Sequence, residues 1–148
     1  MTKELSEMNI IAKNKRAWYD YQIIDTWEAG IKLGGLEVKG LRAGNVSLAE
    51  SWVSVSDQGV RLLKCNITPV RLPKWEEYDP IRPRTLLLKK AEIRKIRSAI
   101  LKGYTVVPLK IYFNNRGLAK IEIATAKGKK NHDKRKTLRD RDNKRLGY

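Results

Sequence analysis

The sequence predicts a mainly β protein: a small closed antiparallel barrel of about six strands, with short inserted helices and a disordered basic C-terminal tail. Three observations carry this. Apolar residues alternate with polar ones, with turn residues between the runs, along most of residues 14–126. Two short segments switch to helical spacing, and each is followed by glycine. Residues 127–148 hold ten basic and three acidic side chains, with only Leu138, Leu146 and Tyr148 as sizeable apolar groups. Such a segment cannot bury enough surface to offset the entropy of ordering it.

Taken in order, residues 1–13 read as a flexible N-terminus, residues 14–126 as the folded domain and residues 127–148 as the tail. Tyr19, Tyr21 and Ile23 alternate as in a half-buried strand. Glu28-Ala29-Gly30 reads as a turn, and Ile31-Lys32-Leu33 restarts the alternation. Residues 36–43 put Val38 and Leu41 on one side of a helix, with Gly44 at the position after its C-terminus. Trp52-Val53-Ser54-Val55-Ser56 and Val60-Arg61-Leu62-Leu63-Lys64-Cys65 form a hairpin about Asp57-Gln58-Gly59. Residues 68–84 form a long loop with four prolines, Pro69, Pro73, Pro80 and Pro83; loops of that length are usually functional or mobile. Residues 91–102 place Ile93, Ile96 and Ile100 in one helical stripe, ended by Gly103. Residues 105–113 are rich in β-branched and aromatic side chains, and Asn114-Asn115-Arg116-Gly117 turns them into a strand over residues 118–124. Pro108 has no N–H and belongs at an edge or a bulge. A loosely packed sandwich fits this pattern nearly as well as a barrel.

The chain has 148 residues, 32 Lys plus Arg against 16 Asp plus Glu, and a formal charge of +16. Hydrophobic residues make up 41%, enough for a core without staples. Cys65 is the single cysteine and His132 the single histidine, which excludes an internal disulfide framework and a cysteine-only or multi-histidine metal site. No cofactor is expected. No apolar run approaches the ~20 residues of a membrane span, and residues 1–12 lack a signal-peptide core. The only histidine lies in the tail, and no glycine-rich phosphate loop or nucleophile elbow is present, so an enzyme is not expected. Glu37, Glu92 and Glu122 read as solvated partners of neighbouring bases. The expected partner is a polyanion, most simply nucleic acid, and the matching small barrel is the oligonucleotide-binding type.

Asn14-Lys15-Arg16-Ala17-Trp18-Tyr19 combines cations, which neutralise phosphates, with rings that stack on bases; equally, it is a charged lead-in to a strand. Glu28 is an acid at a turn tip. It is either simply solvated or an acceptor for base edges and 2′-hydroxyls, a role no lysine can fill. Cys65 reads as a small buried filler.

Six segments, in order, resemble the small protein B (SsrA-binding protein) family. They are Asn14-Lys15-Arg16-Ala17, Trp27-Glu28-Ala29-Gly30-Ile31, Glu37-Val38-Lys39-Gly40-Leu41-Arg42-Ala43-Gly44, Asp79-Pro80-Ile81-Arg82-Pro83-Arg84-Thr85-Leu86-Leu87-Leu88, Val107-Pro108-Leu109-Lys110-Ile111-Tyr112-Phe113 and Lys127-Gly128-Lys129-Lys130-Asn131-His132-Asp133-Lys134-Arg135. The resemblance implies a bacterial cytoplasmic RNA-binding protein of trans-translation, monomeric and free of membranes. It implies a barrel that holds the tRNA-like domain of transfer-messenger RNA and enters stalled ribosomes with elongation factor Tu. The tail would act in the small-subunit decoding centre and the empty message channel. The matching RNA-contacting positions are Asn14, Lys15, Arg16, Glu28, Lys39, Arg42 and Leu87. The matching tail positions are Gly128, Lys129, Lys130, His132, Asp133, Lys134 and Arg135. Gly40, Asn45 and Lys89 depart from residues common in the family, as do Trp18 and Tyr19, and the chain stops soon after Arg145. A ribosomal or ribosome-assembly RNA-binding protein is the alternative with the same charge plan.

Overall fold

The computed structural model describes residues 9–57, 59–72 and 77–129. In chain order the elements are β1 (Ile10–Lys13), α1 (Lys15–Asp20), β2 (Tyr21–Ile31), α2 (Gly35–Arg42), β3 (Val46–Ser47), β4 (Trp52–Ser56), β5 (Gly59–Leu63), β6 (Asn66–Ile67), β7 (Arg84–Leu87), α3 (Lys90–Leu101), β8 (Thr105–Phe113) and β9 (Ala119–Gly128). Seven strands form one antiparallel sheet in the order β1-β8-β9-β2-β7-β5-β4, and β3 pairs with β6 apart from it.

The protein is therefore mainly β, but the expected closed barrel is an open strip. Among the described residues no ladder joins β1 to β4. The sheet curls far enough to bring β4 against β8. Residues 46–51 lie in the gap, lining one cleft with residues 11–16 and another with residues 105–108.

The period of two sorts the side chains onto two faces. The concave face carries Ala29, Ile31, Val53, Val60, Leu62, Leu86, Ile111, Ile121 and Ile123, and Leu41 of α2 and Ile96 of α3 join this core. The other face has a smaller apolar cluster where Ala17 of α1 covers Val107, Leu109, Ala124 and Ala126. In α3, Ile96 is fully buried and Ile93 half-buried, while Ile100 at the end of the stripe is 39% exposed. Ile96→Ala should therefore cost about 2–4 kcal/mol; a thermal midpoint unchanged from that of the native chain would mean that α3 does not pack by this stripe.

Several local readings are corrected. Glu28-Ala29-Gly30 is not a turn but lies inside β2, which runs for 11 residues. Gly30 does not break the strand, because it is paired on both sides, with Lys120 of β9 and Leu87 of β7. Tyr19 belongs to α1 rather than to a strand, because the helix must form to lay Ala17 on the sheet. Residues 10–13, read as part of a loose end, form edge strand β1 against β8, with Ile11 on the core. Lys127 and Gly128, read as the start of the tail, complete β9 opposite Gln22 and Tyr21. The helix over residues 36–43 is present as α2, with Gly44 at φ +79° behind it. Pro108 sits at a bulge.

Glu37 is not solvated; it is 2% exposed. Its Oε1 accepts from Gly34 N at 2.9 Å and from Arg82 Nη2, and its Oε2 accepts from Arg84 Nε at 2.5 Å. Arg84 is itself fully buried and donates onward to the carbonyls of Cys65 and Pro80. The latch ties α2, the end of β5, the proline loop and β7 together. Burial alone would raise the Glu37 carboxyl; Arg82, the Gly34 amide and Arg84 outweigh it, and the pKa lies below the ordinary carboxylate value. Burial pushes the nearby Cys65 thiol up to about 11, so it is an inert filler, as its strand position suggested.

Gly40, on the buried side of α2, is where helix and loop meet most closely. A Cβ there would lie 2.3 Å from the Thr68 carbonyl oxygen. Gly40→Ala should force the backbone apart and cost about 1–3 kcal/mol, read as a drop in thermal midpoint; an unchanged midpoint would show that the residue 68 loop yields freely.

Candidate nucleic-acid interface

Strand register gathers one row of side chains after another on the convex face. Lys110 pairs with Glu122, which pairs with Glu28; Tyr112 pairs with Lys120, then Gly30, then Leu87; Thr85 pairs with Arg61, then Ser54. Directly opposed residues share a face. Residue 14 enters this surface from the side: Asn14 N donates to Leu109 O at 2.7 Å and Asn14 Nδ2 to Pro108 O at 3.0 Å. Those two bonds fix the start of α1 against β8, and Lys15 and Arg16 on α1 are exposed to solvent.

Glu28 and Glu122 face each other across β2 and β9, a like-charge pair that would be destabilising alone. Each is relieved from β8. Lys110 Nζ lies 3.8 Å from Glu122 Oε2, and the Tyr112 hydroxyl donates to Glu28 Oε2. Burial first, and the Glu28 carboxylate second, hold the Tyr112 hydroxyl protonated far above neutral pH, so it remains a donor. Glu28 itself stays exposed, with one carboxylate oxygen accepting from the Tyr112 hydroxyl. Leu87 is 58% exposed beside it. The face thus offers cations for phosphates, an oriented acceptor and an apolar contact.

Glu28 and Leu87 therefore lie on neighbouring rows of one face, and α1, which carries Lys15 and Arg16, packs on that same face through Ala17. Asn14 is buried and acts as a positioning residue. Lys39 and Arg42 are exposed on the last turn of α2, at the rim; Arg42 lies 5.3 Å from the centroid of Phe113, which adjoins Tyr112. Gly128 and Lys129 lie at the far end of β2, under α1. Lys129 N donates to Asp20 O and Lys129 Nζ to Trp18 O, both at 2.9 Å, next to the 49% exposed Trp18. Lys130, His132, Asp133, Lys134 and Arg135 fall outside the described residues. Sequence reading missed Tyr112, Lys110, Lys120 and Arg61 as part of this surface. Their signal was register, which a single strand pattern does not carry. Among the described residues no group of His, Cys, Asp and Glu could hold a metal ion, and no helix is long and apolar enough to cross a membrane.

A curled antiparallel sheet with a cationic, aromatic and apolar outer face defines a β protein of the polyanion-binding class. The family described as "SmpB protein" matches residues 11–147. The chain belongs to the SmpB protein family. It is 46% identical over 143 residues to the SsrA-binding protein of Zymomonas mobilis, covering 96% of this chain and 89% of that one. It is 48% identical over 141 residues to the SsrA-binding protein of Thermosipho melanesiensis, covering 94% and 96%. A chain from the solved structure "tmRNA-SmpB: a journey to the center of the bacterial ribosome" superposes with a TM-score of 0.67 at 42% identity, covering 86% of this chain and 94% of that one.

Proposed function

We propose that the protein binds the tRNA-like domain of transfer-messenger RNA and takes it to stalled ribosomes in trans-translation. The observation that supports this reading is that Glu28 and Leu87 lie on neighbouring rows of the sheet face on which α1, with Lys15 and Arg16, packs; all four match the family's RNA-contacting positions. In this reading the curled sheet acts as an oligonucleotide-binding-like barrel whose outer side takes the RNA. Lys15, Arg16, Lys39 and Arg42 neutralise phosphates, Glu28 accepts from a base edge or a 2′-hydroxyl, Leu87 packs on the sugar–base surface, and Asn14 holds α1 in place. Gly128, Lys129, Lys130, His132, Asp133, Lys134 and Arg135 serve the small-subunit decoding centre and the message channel, and elongation factor Tu accompanies the complex. The protein works as a monomer in the bacterial cytoplasm and has no catalytic role.

A gel shift with transfer-messenger RNA beside ordinary tRNA tests this. Lys15→Glu should weaken both complexes alike and flatten the salt dependence. Glu28→Ala should weaken the transfer-messenger RNA complex about tenfold or more, the scale of a hydrogen bond to a charged group. It should leave tRNA binding unchanged or tighter, since it removes a negative charge. Equal tightening of both would remove Glu28 from recognition. Equal affinity of the native protein for both RNAs would favour the ribosome-assembly reading.

A further inference from the structure

Tyr112 is 3% exposed, yet it joins neither apolar cluster of the fold. Its surroundings on the convex face are polar. By register it pairs with Lys120 of β9, and Lys110 Nζ stands 5.9 Å from the centroid of its ring. The side chain reaches diagonally across β9 to β2, where its hydroxyl donates to Glu28 Oε2. Neighbouring strands lie about 4.8 Å apart, so this one contact spans roughly 10 Å of backbone separation. A large side chain is thus buried outside the cores, and its one polar atom ends on the acid of the candidate RNA face.

The kind of partner matters. Asp20, Glu37, Asp57 and Glu122 each meet an arginine or lysine. Among the described residues Glu28 has no such cation, in a chain of formal charge +16, and the Tyr112 hydroxyl is its only hydrogen-bond partner. Lys110, two residues before Tyr112 on β8, is drawn to Glu122 instead, at 3.8 Å. A cation beside a carboxylate cancels its charge and competes for its lone pairs. A phenol donates one hydrogen bond, fixes where the carboxylate points and leaves its charge in place. A carboxylate has about four lone-pair sites, so most stay open to donors from outside the protein. We propose that Tyr112 is a positioning residue that makes Glu28 selective, holding a fully charged carboxylate toward a base edge or 2′-hydroxyl of the bound RNA. This rests on the RNA role given to Glu28 above. A glutamate that moves freely must be ordered on binding, whereas one held beforehand binds at a lower entropic cost.

The test is a double-mutant cycle on the full-length protein, read by gel shift with transfer-messenger RNA and with ordinary tRNA. Tyr112→Phe keeps the ring and changes no charge. It should weaken the transfer-messenger RNA complex about threefold to tenfold, the scale of freeing one side chain, and leave the tRNA complex unchanged. In a Glu28→Ala background the same change should alter neither complex. In a Glu28→Gln background, whose amide oxygen still accepts from the hydroxyl, it should again weaken the transfer-messenger RNA complex. A loss of equal size in the Glu28→Ala background, or an equal loss for both RNAs, would give Tyr112 a structural role only and overturn the proposal. A measurement on the native protein does not depend on how the variant folds. The three-bond couplings to the Glu28 β-protons, assigned by their loss in Glu28→Ala, should report one staggered rotamer; couplings averaged over several overturn the proposal. Native protein that binds both RNAs alike would overturn the RNA role of Glu28 and this inference with it. Discrimination that survives Tyr112→Phe intact would overturn this inference alone.

Discussion

Glu37→Gln will lower the stability of the folded chain by about 3–5 kcal/mol, the cost of leaving a buried guanidinium without its counter-charge. That is a large share of the roughly 5–15 kcal/mol that holds a typical domain together. Arg84 cannot escape to water, since it is fully buried and its remaining donors are fixed on the Cys65 and Pro80 carbonyls. Replacing both charges, Glu37→Leu with Arg84→Met, should recover part of the loss, because the pair itself offsets its own desolvation poorly. The latch also sets the acid response. The folded pKa of Glu37 is lowered from its ordinary 4.5. Its contribution is therefore fully present above that value and is lost as pH falls through the lower folded value. Urea unfolding at neutral pH and again below pH 4.5 checks both points. Native protein should lose stability between them, and Glu37→Gln should lose less. Equal acid sensitivity would place the acid response elsewhere.

Deleting residues 131–148 will leave the body folded and bound to transfer-messenger RNA while abolishing peptide tagging on stalled ribosomes. Both sheet-face clusters and the two cores lie before residue 130, so the fold keeps every contact described above. RNA affinity should fall only by the phosphates that the removed cations neutralise, a reduction visible in the salt slope. A narrower change separates chemistry from charge. Converting Asp133 and Lys134 together to alanine keeps the net charge, so a mere solubilising segment would tolerate it, whereas a segment that docks by side chain would not. A reconstituted tagging assay beside a gel shift reads both outcomes. Normal tagging by the truncated chain would reduce the segment to a solubiliser, and loss of binding to the isolated RNA would end the division of labour between body and tail.

Local pattern revealed what local physics controls. The stripe through Ile93 and Ile96, the glycines behind α2 and α3, and the hairpin at residues 114–117 were legible because spacing and turn chemistry act within a few residues. Glu28-Ala29-Gly30 misled because glycine next to an acid reads as a turn, while what holds it in a strand is pairing with Lys120 and Leu87, the latter some 57 positions away in the chain. The latch was invisible for a similar cause: Glu37 looks like any helix acid until Arg82 and Arg84 are folded onto it. Barrel closure was misjudged because strand count says nothing about what occupies the seam. The candidate residues Lys15, Arg16, Glu28 and Leu87 came from the family resemblance; the register puts Glu28 and Leu87 on neighbouring rows, and the packing of Ala17 puts α1 on the same face.

The two bonds that pin Lys129 to α1 have a consequence for how the ends of the molecule work together. They fix the point from which the last 19 residues depart. Fully extended, those residues span no more than roughly 65 Å. Once the body is seated on its RNA, whatever the end of the chain touches lies inside a sphere of that radius. The second contact then becomes intramolecular, with an effective concentration in the millimolar range. In the proposed reading weak individual contacts suffice under that regime, and the distance between the RNA-bound body and the target of the tail becomes a quantity the protein measures.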